Sequence, residues 1–402
     1  MKQMTPLAYV FILAVVSILT GCDIKKSNAD PSGSFTAVYD HSDMNLSFYP
    51  VDVAQTADDG FLILSVYTDT TLSTFPLIRL MKTDKAGKLQ REEVVDAAYC
   101  SAVPSLIPNG SSWQFTCMDA VNQNVKLMEV SEDLSSISEV AELNGKYPLY
   151  LYADSRDNLA VLSFDRIART SVLTQYASDG TENWQGSYNI NEDFKTQVEL
   201  HLKKSGKQFP FFIEEAGSPS THYIVNCFYN YTMTLLFANV ASGGRTGQLN
   251  TYQDDAAISS AVFLDASRFS LSRYYMGENY IFPSVELNLS DLQGADTFED
   301  IHLSELAEDA SVQSLSATLN GENVVVFASQ TKSNQLVLYF FNHADGKLKA
   351  TKNLTSTHPV SIAAMTVTSD NGLALLAQTY VAGRFPRIAL FKVAPGDIPL
   401  GD

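Results

Sequence analysis

The feature that most restricts the fold is a repeat. "DDGFLILSVYTDTTLSTFPLIRLMK" (Asp58–Lys82) and "DNGLALLAQTYVAGRFPRIALFK" (Asp370–Lys392) lie far apart in the chain yet run in step. Both give an acid, a polar residue, Gly, an apolar run and a loop, then Phe-Pro with Ile, Leu and a final Lys in matching places. A second signature follows the later apolar run: "DKAGKL" from Asp84 and "HADGKL" from His343, with "SDGTENW" from Ser178 a looser version. Glycine-containing turns between short apolar runs signal hairpins. Recurrence of such hairpins indicates stacked units, each too small to bury its own hydrophobic face.

Units begin near Pro50, Tyr99, Tyr147, Gln208, Ile258, Val312 and Val360, each with three or four short runs rich in Val, Ile, Leu, Phe and Tyr. In the first the runs are 51–56, 60–67, 75–82 and 87–95; in the last they are 360–367, 372–379 and 386–393, one strand short. "SFTAVYD" (Ser34–Asp40), ahead of the first unit, supplies a strand that would close the ring and cover its edges. The expectation is an all-β chain: a single β-propeller over residues 34–402 with about seven four-stranded blades. Six or eight blades remain open, because the fifth unit carries an irregular tail from Leu289 to Ala310. A pair of β-sandwiches is the competing architecture; the shared FP-x-I-x-L-Φ-K and the unpaired last strand favour the ring. One insertion, "EDFKTQVELHLKK", spaces Phe194, Val198 and Leu202 as on one helix face, with Glu199 set to pair with Lys203.

The amino terminus has a different pattern. Leu7–Leu19 is almost wholly apolar, short for a membrane span but suited to a secretory signal. Leu19-Thr20-Gly21-Cys22 resembles the lipobox of bacterial lipoproteins. The resemblance implies a signal peptide at 1–21, cleavage before Cys22, a diacylglycerol on its thiol and an acyl (palmitate-type) chain on the new amino terminus. Two or more chains would anchor stably, since each buried CH₂ adds ~0.8 kcal/mol. Residues 22–33, "CDIKKSNADPSG", read as a flexible tether with a coil span of roughly 20 Å. Localisation is then the cell envelope: the outer membrane, the cell surface or the periplasmic face of the inner membrane. The body resembles β-propeller repeat lipoproteins of Gram-negative bacteria.

With 27 Lys and Arg against 45 Asp and Glu, the formal charge is −18, and loss of residues 1–21 removes one lysine and no acid. Such a surface repels phosphate backbones and anionic headgroups, which excludes nucleic acid as a partner. No HExxH, GxSxG, P-loop or CxxC pattern is present, so the sequence offers no catalytic residue, metal site or cofactor site. The six histidines are scattered and read as surface or turn residues, and Gly243, Gly244 and Gly247 read as a hairpin turn. Asp179 and Trp184 of "SDGTENW" partly resemble the Asp-box of sialidase-type propellers, a structural turn. The pairs Asp58/Asp59, Glu92/Glu93, Glu214/Glu215 and Asp254/Asp255 read as solvated turn acids.

Tyr229, Tyr231, Tyr274, Tyr275 and Tyr280 cluster in two middle units and are candidates for stacking on a sugar or anchoring a protein. With Cys22 lipidated, Cys100, Cys117 and Cys227 remain. A two-residue turn in "IPNG" (Ile107–Gly110) would set Cys100 opposite Cys117, giving either a disulfide or two buried free thiols; Cys227 reads as a buried free thiol. The functional expectation is a lipid-anchored scaffold that binds an envelope protein or a glycan. The competing class is a carbohydrate hydrolase or lyase. Clustered carboxylates at the channel would favour the second, a tyrosine-rich mouth the first.

Overall fold

The computed structural model describes residues 33–401 apart from 70, 252, 382 and 383; Cys22, the lipobox and nearly all of the tether lie outside the described residues. β1 is Phe35–Tyr39. A first up-and-down meander follows: β2 (Ser47–Gln55), β3 (Phe61–Thr68), β4 (Leu77–Thr83) and β5 (Leu89–Val94). The short β6 (Tyr99–Cys100) leads to a second: β7 (Ile107–Asn109), β8 (Ser112–Asp119), β9 (Asn124–Ser131) and β10 (Ile137–Lys146). The third is β11 (Pro148–Ala153), β12 (Leu159–Asp165), β13 (Thr170–Tyr176) and β14 (Glu182–Asn189), followed by helix α1 (Lys195–Leu202). The fourth is β15 (Phe212–Gly217), β16 (Ser220–Tyr229), β17 (Thr232–Asn239) and β18 (Arg245–Asn250). The fifth has β19 (Ala256–Asp265), β20 (Arg268–Tyr275) and β21 (Glu278–Glu286), with β22 (Leu292–Gly294) and β23 (Ile301–His302) behind them. The sixth is β24 (Val312–Leu319), β25 (Glu322–Gln330), β26 (Leu336–Asn342) and β27 (Leu348–Leu354); β28 (Val360–Val367), β29 (Leu373–Val381) and β30 (Phe385–Val393) complete the chain.

Central strands such as β3, buried along nearly their whole length, are apolar on both faces because each sheet is sandwiched between two others. A core of Leu62, Leu64, Ile78, Phe115 and Val130 lies between the first two meanders. One of Phe48, Phe61, Ile63, Leu376 and Leu390 joins the last strands to the first, so the sheets form a ring. The closure follows the sequence expectation: β1 runs antiparallel to β30 with Phe35 opposite Lys392 and Tyr39 opposite Ile388.

Hydrogen bonding corrects the expected count of about seven separate four-stranded sheets. Five sheets are separate and blade-sized, and β2 to β10 form one nine-stranded sheet. The joint is β6, where Cys100 pairs with Leu77 on one side and Met118 on the other. The irregular tail of the fifth unit is shared: β22 pairs parallel to β18 of the fourth, and β23 pairs with β21.

The expected register at the cysteines is also corrected. The turn after Ile107 lies two residues later, with Asn109 opposite Ser112 and Gly110 at φ 62°. The register changes again between β7 and β6, so that Cys100 stands opposite Met118, one residue from Cys117, which faces Lys126 of β9. A one-residue slip sends side chains to opposite faces. Cys100 accordingly enters the core around Leu149, and Cys117 the core around Phe115. Both thiols, like Cys227, are free and buried.

In α1, Val198 and Leu202 are buried as expected, but Glu199 pairs with Lys195 at 3.8 Å, while Lys203 stands over the Phe75 ring.

One turn recurs and explains the "DDG", "DNG", "DKAGKL" and "SDGTENW" signatures, whereas "HADGKL" is closed by a longer turn in which Asn342 N–H donates to Lys347 O at 2.8 Å. Thr56 N–H donates to Gly60 O at 3.0 Å, and Asp59 N–H donates to Thr56 O at 3.0 Å. The same two bonds close the turns at Asp84/Lys88, Asp154/Asn158, Ala177/Thr181, Thr331/Gln335 and Thr368/Gly372. The fourth residue of each is left-handed: Asp59 at φ 63°, Asp157 at 61°, Asn334 at 60° and Asn371 at 62°.

Candidate functional site: the central channel

Strands β2, β11, β15, β19, β24 and β28 stand innermost, and their side chains with the Pro104–Leu106 connector line a central cavity of about 1080 Å³. Its two ends differ. Hairpins β3–β4, β8–β9, β12–β13, β16–β17 and β20–β21 turn at one end, here called the tip end. The β2–β3 type of hairpin and the C-terminal residues lie at the other.

The insertion after β14 crosses the tip end. Ser101 Oγ donates to Leu202 O at 3.2 Å on one side of the ring. On the other, Lys207 Nζ reaches Asp255 at 2.5 Å and Asp309 at 3.2 Å and stands 4.7 Å above the Tyr274 ring. His201, Lys204, Gln208 and Phe209 thus become channel wall. His201, read from sequence as a surface or turn residue, is packed edge-on against Phe211 with ring centroids 5.0 Å apart. Its Nδ1 accepts the Phe209 N–H at 3.1 Å, and burial drives its pKa down.

Ionisable groups on the wall are shifted by desolvation. Asp52 accepts the N–H of Leu106 at 2.6 Å and of Val53 at 2.9 Å, yet burial pushes its carboxyl up to about 6. Glu214 has no such donors; burial, and then the charge of Glu215, push it up to about 8. Burial raises Tyr150, and the fields of Asp52 and Glu214 both add to the rise, so the phenol lies within reach of both charges. Lys204 is pushed down to about 8 by burial. Near neutral pH Glu214 is therefore mainly a proton-bearing donor and Asp52 mainly an acceptor, with tyrosine rings Tyr49, Tyr150, Tyr274 and Tyr380 on the same wall.

Of the tyrosines singled out from sequence, Tyr274 lines this channel. Tyr229 is half-buried with the Arg245 guanidinium 5.4 Å from its ring, and Tyr231 is 53% exposed on a hairpin tip. Tyr275 and Tyr280 flank Arg273 at 5.3 and 5.2 Å, an arginine that also binds Asp296 and Asp300 at 2.6 and 3.1 Å. The five are not brought to one patch. Sequence reasoning missed Asp52 and Tyr150, and its reading of Glu214 as a solvated turn acid is corrected, since Glu214 lies on the inner strand β15 and lines the channel. The available signal was position, since all three sit on the first strand of a repeat, which is the inner one. Adjacency also marked Glu214 and Glu215: neighbours on a strand face opposite ways, so one had to point inward.

The other candidates have structural places. Asp179 sits in an exposed turn accepting the Thr181 N–H at 2.9 Å, and Trp184 Nε1 donates to Val240 O at 3.1 Å. Gly243, at φ 66°, lies in the β17–β18 turn, where a Cβ would meet the Trp184 ring at 2.4 Å.

No protein-family model matches the chain, and no curated protein is similar to it in sequence. Solved structures do match in fold. The WD40 β-propeller domain of Doa1 aligns at TM-score 0.50 and 12% identity, over 89% of this chain and 96% of its own. Streptogramin B lyase aligns at TM-score 0.50 and 13% identity, over 89% and 97%. YCF48, solved bound to D1 peptide, aligns at TM-score 0.50 and 11% identity, over 92% and 97%. The ring of sheets is a single all-β propeller of the kind these proteins share.

Proposed function

We propose that the protein is a lipid-anchored scaffold of the cell envelope that binds a protein segment or a glycan without transforming it. The observation that carries this reading is the channel wall: tyrosine faces, serine hydroxyls and two carboxyls in opposite protonation states, held by inner strands of a rigid ring. Such a surface offers stacking together with paired donors and acceptors, which suits a hydroxyl-rich or amide-rich chain. We count the nine-stranded sheet as two blades, because a hydrophobic core separates its two meanders as it does other neighbouring sheets; the ring then has seven repeat units. The anchor is assigned to Cys22 and the tether to residues 22–33. Cys22→Ala should release the mature-size protein from the membrane fraction or leave it unprocessed; normal processing and partitioning would remove the anchor from the proposal.

The fold does not choose between binding and catalysis, since YCF48 bound to a peptide and streptogramin B lyase have it alike. One observation favours the competing hydrolase or lyase reading: Glu214 holds a proton near neutral pH in the same channel as Asp52. A screen of envelope and extracellular polysaccharides separates the two. Binding weakened by Tyr150→Ala with no product formed supports the scaffold. Product that disappears with Glu214→Gln or Asp52→Asn establishes the enzyme.

A further inference from the structure

The four most exposed large apolar side chains of the described residues share one end of the ring, and Tyr231 joins them there; Val94 and Leu292, each 57% exposed, lie instead on the outer strands β5 and β22. Ile167 is 88% exposed, Val121 81%, Leu72 64%, Met276 60% and Tyr231 53%. Each sits in the hairpin between the second and third strands of its repeat: Leu72 between β3 and β4, Val121 between β8 and β9, Ile167 between β12 and β13, Tyr231 between β16 and β17, and Met276 between β20 and β21. Five consecutive tips therefore present an apolar residue to solvent on the same face. Leu200 of α1, 40% exposed, lies on the insertion that covers this end of the channel. One exposed apolar residue at the same place in five consecutive hairpins is a repeated feature of this face, which sets it apart from a singly scattered side chain.

We infer that the tip face is the docking surface for a protein partner whose complementary patch is apolar at its centre and basic at its margin. The inference rests on the binding-scaffold reading and moves the contact from the channel to the tips, because the insertion lies across the channel there. Charge chooses the occupant. The exposed acids of this face include Asp165, Glu192, Asp193, Asp254, Asp255 and Glu308. Its exposed cations are fewer than these acids: Arg166 and Arg169 beside Ile167, Lys195 on α1, and Lys207, which is already held by Asp255 and Asp309. An acidic rim repels anionic headgroups and a second acidic copy of this chain alike, and attracts a basic margin. The chain preceding the described residues leaves from the opposite end. Ser34 Oγ accepts the Ala394 N–H at 2.9 Å and bonds Asp397, beside the C-terminal segment. An anchor upstream of Ser34 places the tips on the side away from its own membrane.

The test uses the full-length, lipidated protein in cells, with a photo-crosslinking amino acid at position 121, 167 or 276, or at Leu348 and Gly396 on the opposite end. The protein crosslinked from the tips is identified, purified and titrated against wild type and against the Val121→Asp, Ile167→Asp pair, whose solvent-exposed sites leave the fold intact as checked by melting. The inference expects at least a tenfold loss of affinity for the tip pair, no change for Leu348→Asp, and loss on reversing the partner's basic margin. It is overturned by three outcomes: tip-dependent sedimentation with phosphatidylcholine/phosphatidylglycerol vesicles, a tip-dependent dimer by light scattering, or no crosslink from the tips. A partner lost with Tyr150→Ala but kept by the tip pair sinks this inference and leaves the scaffold reading standing. A partner absent from both faces sinks both.

Discussion

At the scale of single residues, the repeated "DDG" and "DNG" glycines serve a contact, not a left-handed turn. The positive φ falls on Asp59 and Asn371, one residue earlier. Gly60 is required because a Cβ there would stand 2.2 Å from Thr83 O and 2.5 Å from Lys82 Nζ; at Gly372 the nearest atom is Val393 O at 2.4 Å. That crowding belongs to a lysine cage. Lys82 Nζ donates to Thr56 Oγ1 at 2.9 Å, Asp58 at 2.6 Å and Thr83 O at 3.0 Å, and Lys392 Nζ meets Thr368 and Asp370 at 2.5 Å each. Although burial opposes it, the bonds from Lys82, Thr56 and the Gly60 N–H hold Asp58 down at about 2. Gly60→Ala should lower stability by about 2 kcal/mol or more through overpacking against backbone. Asp59→Gly should cost much less, because relief of the left-handed position offsets loss of the exposed bond that the Asp59 carboxylate accepts from Ser369 Oγ at 2.8 Å. Urea midpoints of the two variants check the contrast. Glu214 makes a pH prediction. Its folded value, about 8, lies above the ordinary 4.5, so the folded state binds the extra proton between those limits and stability falls as pH rises through them. Each tenfold change in proton affinity corresponds to about 1.4 kcal/mol. Glu214→Gln should therefore leave the melting temperature unchanged at pH 4 and raise it by several degrees at pH 8. A parallel rise at both would show that relief of packing, not ionisation, is responsible.

At the scale of elements, ring closure depends on more than the ladder between β1 and β30. Arg387, on the edge of β30, is fully buried. Its Nε bonds Asp40 at 2.8 Å, its Nη1 bonds Leu46 O at 2.8 Å, and its Nη2 reaches His41 O and Asp43 O at 3.3 Å. The guanidinium also lies 5.3 Å from the Phe48 ring. Deleting residues 34–40 removes a strand and deprives this buried charge of a half-exposed carboxylate, a loss of roughly 1–3 kcal/mol for the charge-assisted bond alone. Arg387→Met in the truncated chain removes the orphaned charge and should recover part of that loss, whereas in the intact chain it should destabilise. Melting of the four combinations decides it; equal losses with and without Arg387 would make the clasp irrelevant. The strand itself was legible in the sequence, because "SFTAVYD" alternates and the last repeat is one strand short. The clasp was not, because Arg387 occupies the variable position after Phe385-Pro386, where the first repeat has Leu77. Separation into sheets was equally hidden. Whether Tyr99–Cys100 bridges two meanders depends on a two-residue pairing that no periodicity reports. The channel acids were obscured for a related reason: Glu214 and Asp52 look like surface residues until the ring sets the inner strands facing one another.

At the scale of the whole molecule, the two ends of the ring have different jobs. The end that carries Ser34, Gly396 and the C-terminal segment receives the chain from the amino terminus. The end that carries Ile167 and Val121 is apolar at its tips, acidic around them and closed over the channel by the insertion. A strand of eight residues spans about 26 Å, so the two ends stand roughly that far apart. If residues 22–33 tether the protein to a membrane as proposed, a coil span of roughly 20 Å is too short to bring the tips back to it without extending the tether. Anchored in the proposed way, the protein should stand with its tips outward. Single fluorophores at Ile167→Cys and Gly396→Cys report this, since Cys100, Cys117 and Cys227 are buried, and burial pushes Cys100 and Cys227 up to about 12, leaving them unreactive. In lipidated protein reconstituted on vesicles containing an acceptor lipid, the label at 396 should transfer energy strongly and the label at 167 weakly. The difference should vanish when Cys22→Ala prevents anchoring. Stronger transfer from 167 would mean that the apolar tips lie on the lipid, and that the acidic rim fails to hold them off.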